Sequence, residues 1–181
     1  MRWSFIIALA LVVGAWMAWD RLHGQGAAQA QPNPYSGMRE LAFSTKPKDI
    51  GFTGSPDEEA TYGVIIEFRI DRETATVVSF ASGDASIYLS TGGAMIGGVG
   101  QPRIAQSAKA MIATGQSELG QVPFVDRHPK PSVGQVTIYL LTTRGLRGTA
   151  ANEAELEGGK HPLSPLFASA QDVITAYRTA R

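Results

Sequence analysis

Three histidines, a run of alternating glutamates, a cluster of glycines and a few serines are the residues here that have chemistry to offer. His23, His128 and His161 stand far apart. None lies in an H-x-H, H-x-x-x-H or H-E-x-x-H pattern, the spacings that set two imidazoles on one metal. Glu157 precedes His161 by one helical turn, but Gly158 and Gly159 between them disfavour the helix that would align the pair. Glu153, Glu155 and Glu157 alternate as one face of a strand does, without the glycine and Asx pattern of a calcium loop. They read as a charged edge that discourages sheet-to-sheet pairing. No serine sits in G-x-S-x-G, and no histidine has an evident orienting partner. Ser164 before Pro165 reads as a helix cap. With no cysteine, thiolate chemistry and a disulfide scaffold are both excluded. These residues predict no catalytic group, no metal and no cofactor.

The glycines make the best candidate ligand or contact loop: Gly92, Gly93, Gly97, Gly98 and Gly100. A glycine-rich loop entering a helix can hold a phosphate on its backbone N–H groups. Here no Gly-Lys-Ser/Thr follows, the G-x-G-x-x-G spacing is absent, and Pro102 removes a donor. A kinked strand, or close backbone packing, is the simpler expectation.

The elements that carry these residues follow from periodicity. Thr61–Ile70 alternates, with Tyr62, Val64, Ile66, Phe68 and Ile70 on one face. Glu67 and Arg69 share the other, as an expected surface ion pair of little worth. Ala75–Ala81 and Ala85–Ser90 are further strands, joined through Ser82-Gly83-Asp84. Ala94–Ile96 can continue a strand beyond a Gly-Gly kink. A helix runs from Pro102 towards Gly120 with Ile104, Ala108, Met111, Ile112 and Leu119 on its stripe. Val136–Thr142 is the clearest strand, Leu146–Ala151 a weaker one, and the last helix spans Ser164 to about Thr179. Tyr35–Asp57 shows no period. The order β-β-β-α-β-(β)-α predicts an α+β domain over 35–181, an antiparallel sheet of about five strands with two packed helices. That order resembles profilin-like and roadblock-like domains. Gly83–Gly98 (GDASIYLSTGGAMIGG) together with His161–Phe167 (HPLSPLF) resembles a group of small bacterial α+β domains, a resemblance that implies no activity.

The start of the chain has another character. No charge falls between Arg2 and Asp20. Trp3 to Trp19 would span roughly 25 Å as a helix, slightly under the ~30 Å hydrocarbon core. Trp3 at one end, with Trp16 and Trp19 at the other, suits an interfacial belt. Ala8, Gly14, Ala15 and Ala18 offer a face small enough for close helix packing. Residues 1–23 are therefore expected to be a single transmembrane helix. The alternative is a signal peptide cleaved after Ala28-Gln29-Ala30. Against it stand the length of the apolar run and the charges Asp20 and Arg21 beyond it. Residues 24–34 form a polar linker ending in Pro32 and Pro34. Positive charge leans slightly to N-in, which puts the domain on the periplasmic side of a bacterial inner membrane.

Lys plus Arg and Asp plus Glu both number 16, so the chain is neutral and nucleic acid is not an expected partner. Charged residues are 18%, below the usual ~25%. The function this pattern predicts is a non-catalytic accessory subunit, in contact with the bilayer and with other membrane-protein subunits, of which a respiratory or photosynthetic assembly is one host. The alternatives are a periplasmic module that binds a small ligand or peptide, and a hydrolase with a dispersed site.

Overall fold

The computed structural model describes residues 33–55 and 57–180. The expected anchor and most of the linker lie outside them. So do Trp3, Trp16, Trp19, Ala8, Gly14, Ala15, Ala18 and His23. Among the described residues no helix is long and apolar enough to cross a membrane.

From Pro34 onward the chain forms one compact unit. It is an α+β domain with four α-helices and a six-stranded antiparallel sheet. In chain order these are α1 (Tyr35–Ser44), β1 (Thr61–Ile70), β2 (Glu73–Phe80), β3 (Ala85–Leu89), β4 (Ala94–Ile96), α2 (Pro102–Ser117), β5 (Gln135–Thr142), β6 (Gly145–Asn152), α3 (Glu153–Glu157) and α4 (Ser164–Thr179). The sheet order is β4-β3-β2-β1-β5-β6. Strands β1–β4 form a meander and β5–β6 a hairpin, and the α2 crossover brings β5 back beside β1.

Both faces of the sheet are covered. On one, Val64, Ile66, Val77, Ile138 and Leu140 pack beneath α2 and α4. On the other, Tyr62, Ile65, Val78, Tyr139 and Leu141 pack with Tyr35 and Ala42 of α1. A strand buried on both sides is apolar at almost every position, which is why β1 reads as TYGVIIEFRI rather than as a clean alternation.

Several expectations are corrected. The sheet has six strands rather than about five, because Ala94–Ile96 pairs with β3 and the weaker candidate after Arg144 is a full partner of β5. There are four helices rather than two. Helix α1 lies in the stretch that showed no period, since its buried face of Tyr35, Arg39 and Ala42 includes a cation. The apolar face assigned to β1 holds for Val64, Ile66 and Phe68 but fails at Tyr62. The register shifts between Thr61 and Gly63, so Tyr62 packs with the α1 side while Val64 faces α2. Glu153, Glu155 and Glu157 do not line a strand. Asn152 accepts the N–H of Glu155 through its side chain and starts the short helix α3 instead. Ser164 is the first helical residue of α4 rather than its cap.

Candidate functional site

Three places in the domain concentrate chemistry or open surface: a buried ionic clasp, a second ion pair at the end of β1, and a groove beside β4.

The clasp joins α1 to the sheet. Glu67 and Arg69 do not form a surface pair: Glu67 is 0% exposed. In the ladder it stands between Thr76 of β2 and Thr137 of β5, a polar row across an apolar face. Arg39, itself 5% exposed, donates Nε and Nη2 to the two Glu67 oxygens, both at 2.7 Å. Thr76 donates to Glu67 at 2.8 Å, and the Tyr35 hydroxyl lies 3.0 Å from Thr76. Nη2 of Arg39 also donates to the His128 carbonyl at 2.6 Å. The bidentate geometry satisfies a carboxylate that is buried from solvent. Such a pair fixes where α1 sits more than it adds stability.

Glu59 and Arg147 form the second pair, Nε to Oε1 at 2.7 Å and Nη2 to Oε2 at 2.8 Å. Thr142 donates to Glu59 as well, at 2.7 Å. The Arg147 guanidinium holds the Glu59 carboxyl down at about 2. Arg147 also lies 3.9 Å from the centre of the Phe124 ring and donates to the Val122 carbonyl at 2.7 Å. It thus ties β6 to the segment that covers its outer edge. Burial pushes Tyr139 and Tyr177 up to about 12. None of these three groups exchanges a proton near neutral pH, as an acid–base catalyst must.

The two described histidines do not meet. His128 stacks on Phe43 at 4.0 Å and faces Glu40 at 3.2 Å. His161 accepts the Leu163 N–H through Nδ1 at 3.1 Å, a local turn contact. Among the described residues no group of three or more His, Cys, Asp or Glu side chains is placed to hold a metal ion.

The glycine loop does lie beside an opening, though its glycines have separate tasks. Gly92 takes φ +106° in the β3–β4 turn, where its N–H donates to Leu89. Gly97 takes φ +85° as the chain leaves β4. Gly98 is buried, and a Cβ there would collide with Ile104 and approach the Tyr177 hydroxyl. It is a close-packing glycine. Gly100 has open space around it. Gly93 lines a groove of about 410 Å³ between the sheet and α4. The ladder explains this groove. Phe68, Ala75 and Leu89 are direct neighbours across β1, β2 and β3, and Gly93 follows at the turn. Two large side chains thus flank one methyl group, and the end of the row has none. The depression between them is walled by Ile174 and Arg178, one turn apart on α4. The glycine cluster pointed to the loop but could not reveal the groove, because its floor is assembled from three strands.

Beside the groove the outer edge of β4 is open among the described residues. The Leu89 N–H donates to Gly93, so the pair Ile87–Met95 two residues on is also a hydrogen-bonded one. Ala94 and Ile96 therefore turn their backbone groups away from β3. No described strand pairs with that edge. The opposite edge, β6, is covered: Gly148 donates to Pro123 and Val125 to Leu146. Ile96 and Val99 are 63% and 58% exposed. Ser90–Gln101 carries no charge at all. Edge strands left open usually bear a charge or proline that discourages pairing; β4 bears neither.

Comparison of this chain with protein-family models, with curated proteins and with solved structures finds no match.

Proposed function

We propose that this protein is a non-catalytic accessory subunit, tethered to a bacterial inner membrane by residues 1–23 and docked onto a larger membrane-protein assembly through the β4 edge of its α+β domain. The observation that carries the reading is the asymmetry of the sheet: one edge is covered by its own chain, the other is uncharged, open and flanked by exposed Ile96 and Val99. An extended segment of a neighbouring subunit can add a strand there, with main-chain hydrogen bonds for affinity and the two apolar side chains for specificity. The short linker over 24–34 keeps the domain close to the bilayer, where such a neighbour is available. The absence of charge suits a contact that must lose its water.

The test is purification of the full-length protein from native membranes in mild detergent. The wild type is expected to bring down one or more membrane-protein subunits in stoichiometric amount. Ile96→Lys places a charge on the open edge without removing a backbone hydrogen bond to β3, and should release them while the circular dichroism spectrum stays unchanged. A wild-type protein that runs alone as a monomer on native gels refutes the proposal.

A further inference from the structure

Beyond its docking edge, the domain has a concave surface with a chemistry of its own. The groove over the Phe68–Ala75–Leu89 row is apolar except for one group, Arg178. Its floor reaches the hydrophobic core, since Phe68, Ala75 and Ile87 are core residues that nonetheless line it. Ile70 lines the groove at the end of β1 and is 50% exposed, so apolar surface continues to the mouth. Among the described residues Arg178 makes no hydrogen bond or ion pair, and it stands one turn beyond Ile174 on the wall. A trough with apolar lining and a single cation at its rim is complementary to one kind of small molecule. The volume, about 410 Å³, lies within the usual range for ligand sites.

We infer that this groove binds one aliphatic chain of an anionic amphiphile, with the chain over Ala75 and Gly93 and the anionic head at Arg178. Ala75 and Gly93 are the features that make room. A larger residue at either position would raise the floor or close the mouth. The apolar length sets affinity, at about fourfold per methylene. The exposed guanidinium sets polarity and contributes less, roughly three- to fivefold. The inference stands on the groove alone and is independent of what docks at the β4 edge.

Photolabelling tests it in the full-length protein held in phosphatidylcholine nanodiscs. The probe is dodecanoate bearing a diazirine at its methyl end, and peptide mass spectrometry locates the insertion. Label is expected in residues 85–96 and 170–178. Free dodecanoate should compete, and decanoate about sixteenfold less well by the loss of two methylenes. Dodecyltrimethylammonium, with the same chain and the opposite charge, should compete at least about three- to fivefold less well than dodecanoate. Arg178→Gln should lower groove labelling roughly three- to fivefold. Gly93→Leu should abolish it, and it is compatible with the fold: Gly93 has no left-handed backbone, and a Cβ there meets Leu89 at an ordinary 3.4 Å. Phosphatidylglycerol added to the discs separates two sources of the same chemistry. Competition identifies an anionic lipid as the ligand, and lack of competition identifies a free carboxylate; either supports the anionic-chain site. Label confined to residues 1–32, or groove label that is unchanged in Arg178→Gln and equal for a cationic analogue, overturns it.

Discussion

Replacing Arg39 by methionine tests how α1 is held. The substitution keeps the aliphatic stem and removes the guanidinium. Two 2.7 Å hydrogen bonds to Glu67 and the 2.6 Å bond to the His128 carbonyl disappear together. Glu67 remains fully buried, left with neutral hydroxyls such as that of Thr76 and no cation. An unpaired buried carboxylate of this kind costs about 3–5 kcal/mol, a large share of the ~5–15 kcal/mol that holds a domain together. With a urea slope of about 2 kcal/mol per molar, the midpoint should fall by roughly 2 M. The assay is urea unfolding of the full chain in mild detergent, followed in the tyrosine band of the near-ultraviolet circular dichroism. All five tyrosines lie in the folded domain and are buried, whereas the three tryptophans are at positions 3, 16 and 19. The double variant Arg39→Met/Glu67→Met removes both charges, and should recover most of the loss. Thr76 would keep its contact with Tyr35. If Arg39→Met costs less than about 1 kcal/mol, or if the two single losses simply add, the pair is not a buried coupled clasp and the reasoning fails.

Glu59 gives a pH dependence with a definite sign. Its carboxyl is held down to about 2 in the folded protein, against 4.5 for the free group, so its contribution is present above pH 4.5 and is lost as pH falls towards 2. Arg147→Met should remove on the order of 2 kcal/mol at neutral pH and flatten stability over that acid window; an unchanged acid limb would refute the assignment. Gly98→Ala should destabilise by about 1–3 kcal/mol, because its Cβ collides with Ile104, whereas Gly100→Ala should fall within about 0.5 kcal/mol of wild type in thermal unfolding. Tyr177→Phe leaves the Ala85 carbonyl without its 2.5 Å donor and should cost about 1–2 kcal/mol; it should also remove one of the two phenols that ionise only near pH 12 in a spectrophotometric titration.

Most of the sheet was legible as pattern. Val136–Thr142 and Ala75–Ala81 are β-branched runs between turn signals, and local propensity agrees with their place in the ladder. The two long helices announced themselves through a proline near the start of each and an apolar stripe. Helix α1 did not, because it buries Arg39 where a stripe should carry an apolar residue, and only a carboxylate from another element makes that burial tolerable. Glu67 was misread for the complementary reason: alternation gives the face a residue points to but not what later covers that face. The glutamates of α3 alternate as strand residues do, and a side-chain cap from Asn152 with the end of the β5–β6 ladder decided otherwise.

By itself the sequence determined the α+β class, the positions of the strands and long helices, the lack of a linear metal or nucleophile motif, and the contrast between an uncharged start and a mixed-polarity domain. These follow from local periodicity, composition and spacing, which act over a few residues. Tertiary structure alone decided that α1 closes the second face of the sheet, that β6 is covered while β4 is open, and that Phe68, Ala75, Leu89 and Gly93 leave a trough beneath Arg178. Each of those joins residues that only the strand register and the packing of helices bring within reach. The physical reason is the same throughout: burial and pairing depend on what arrives from elsewhere in the chain, and no window along it contains both partners.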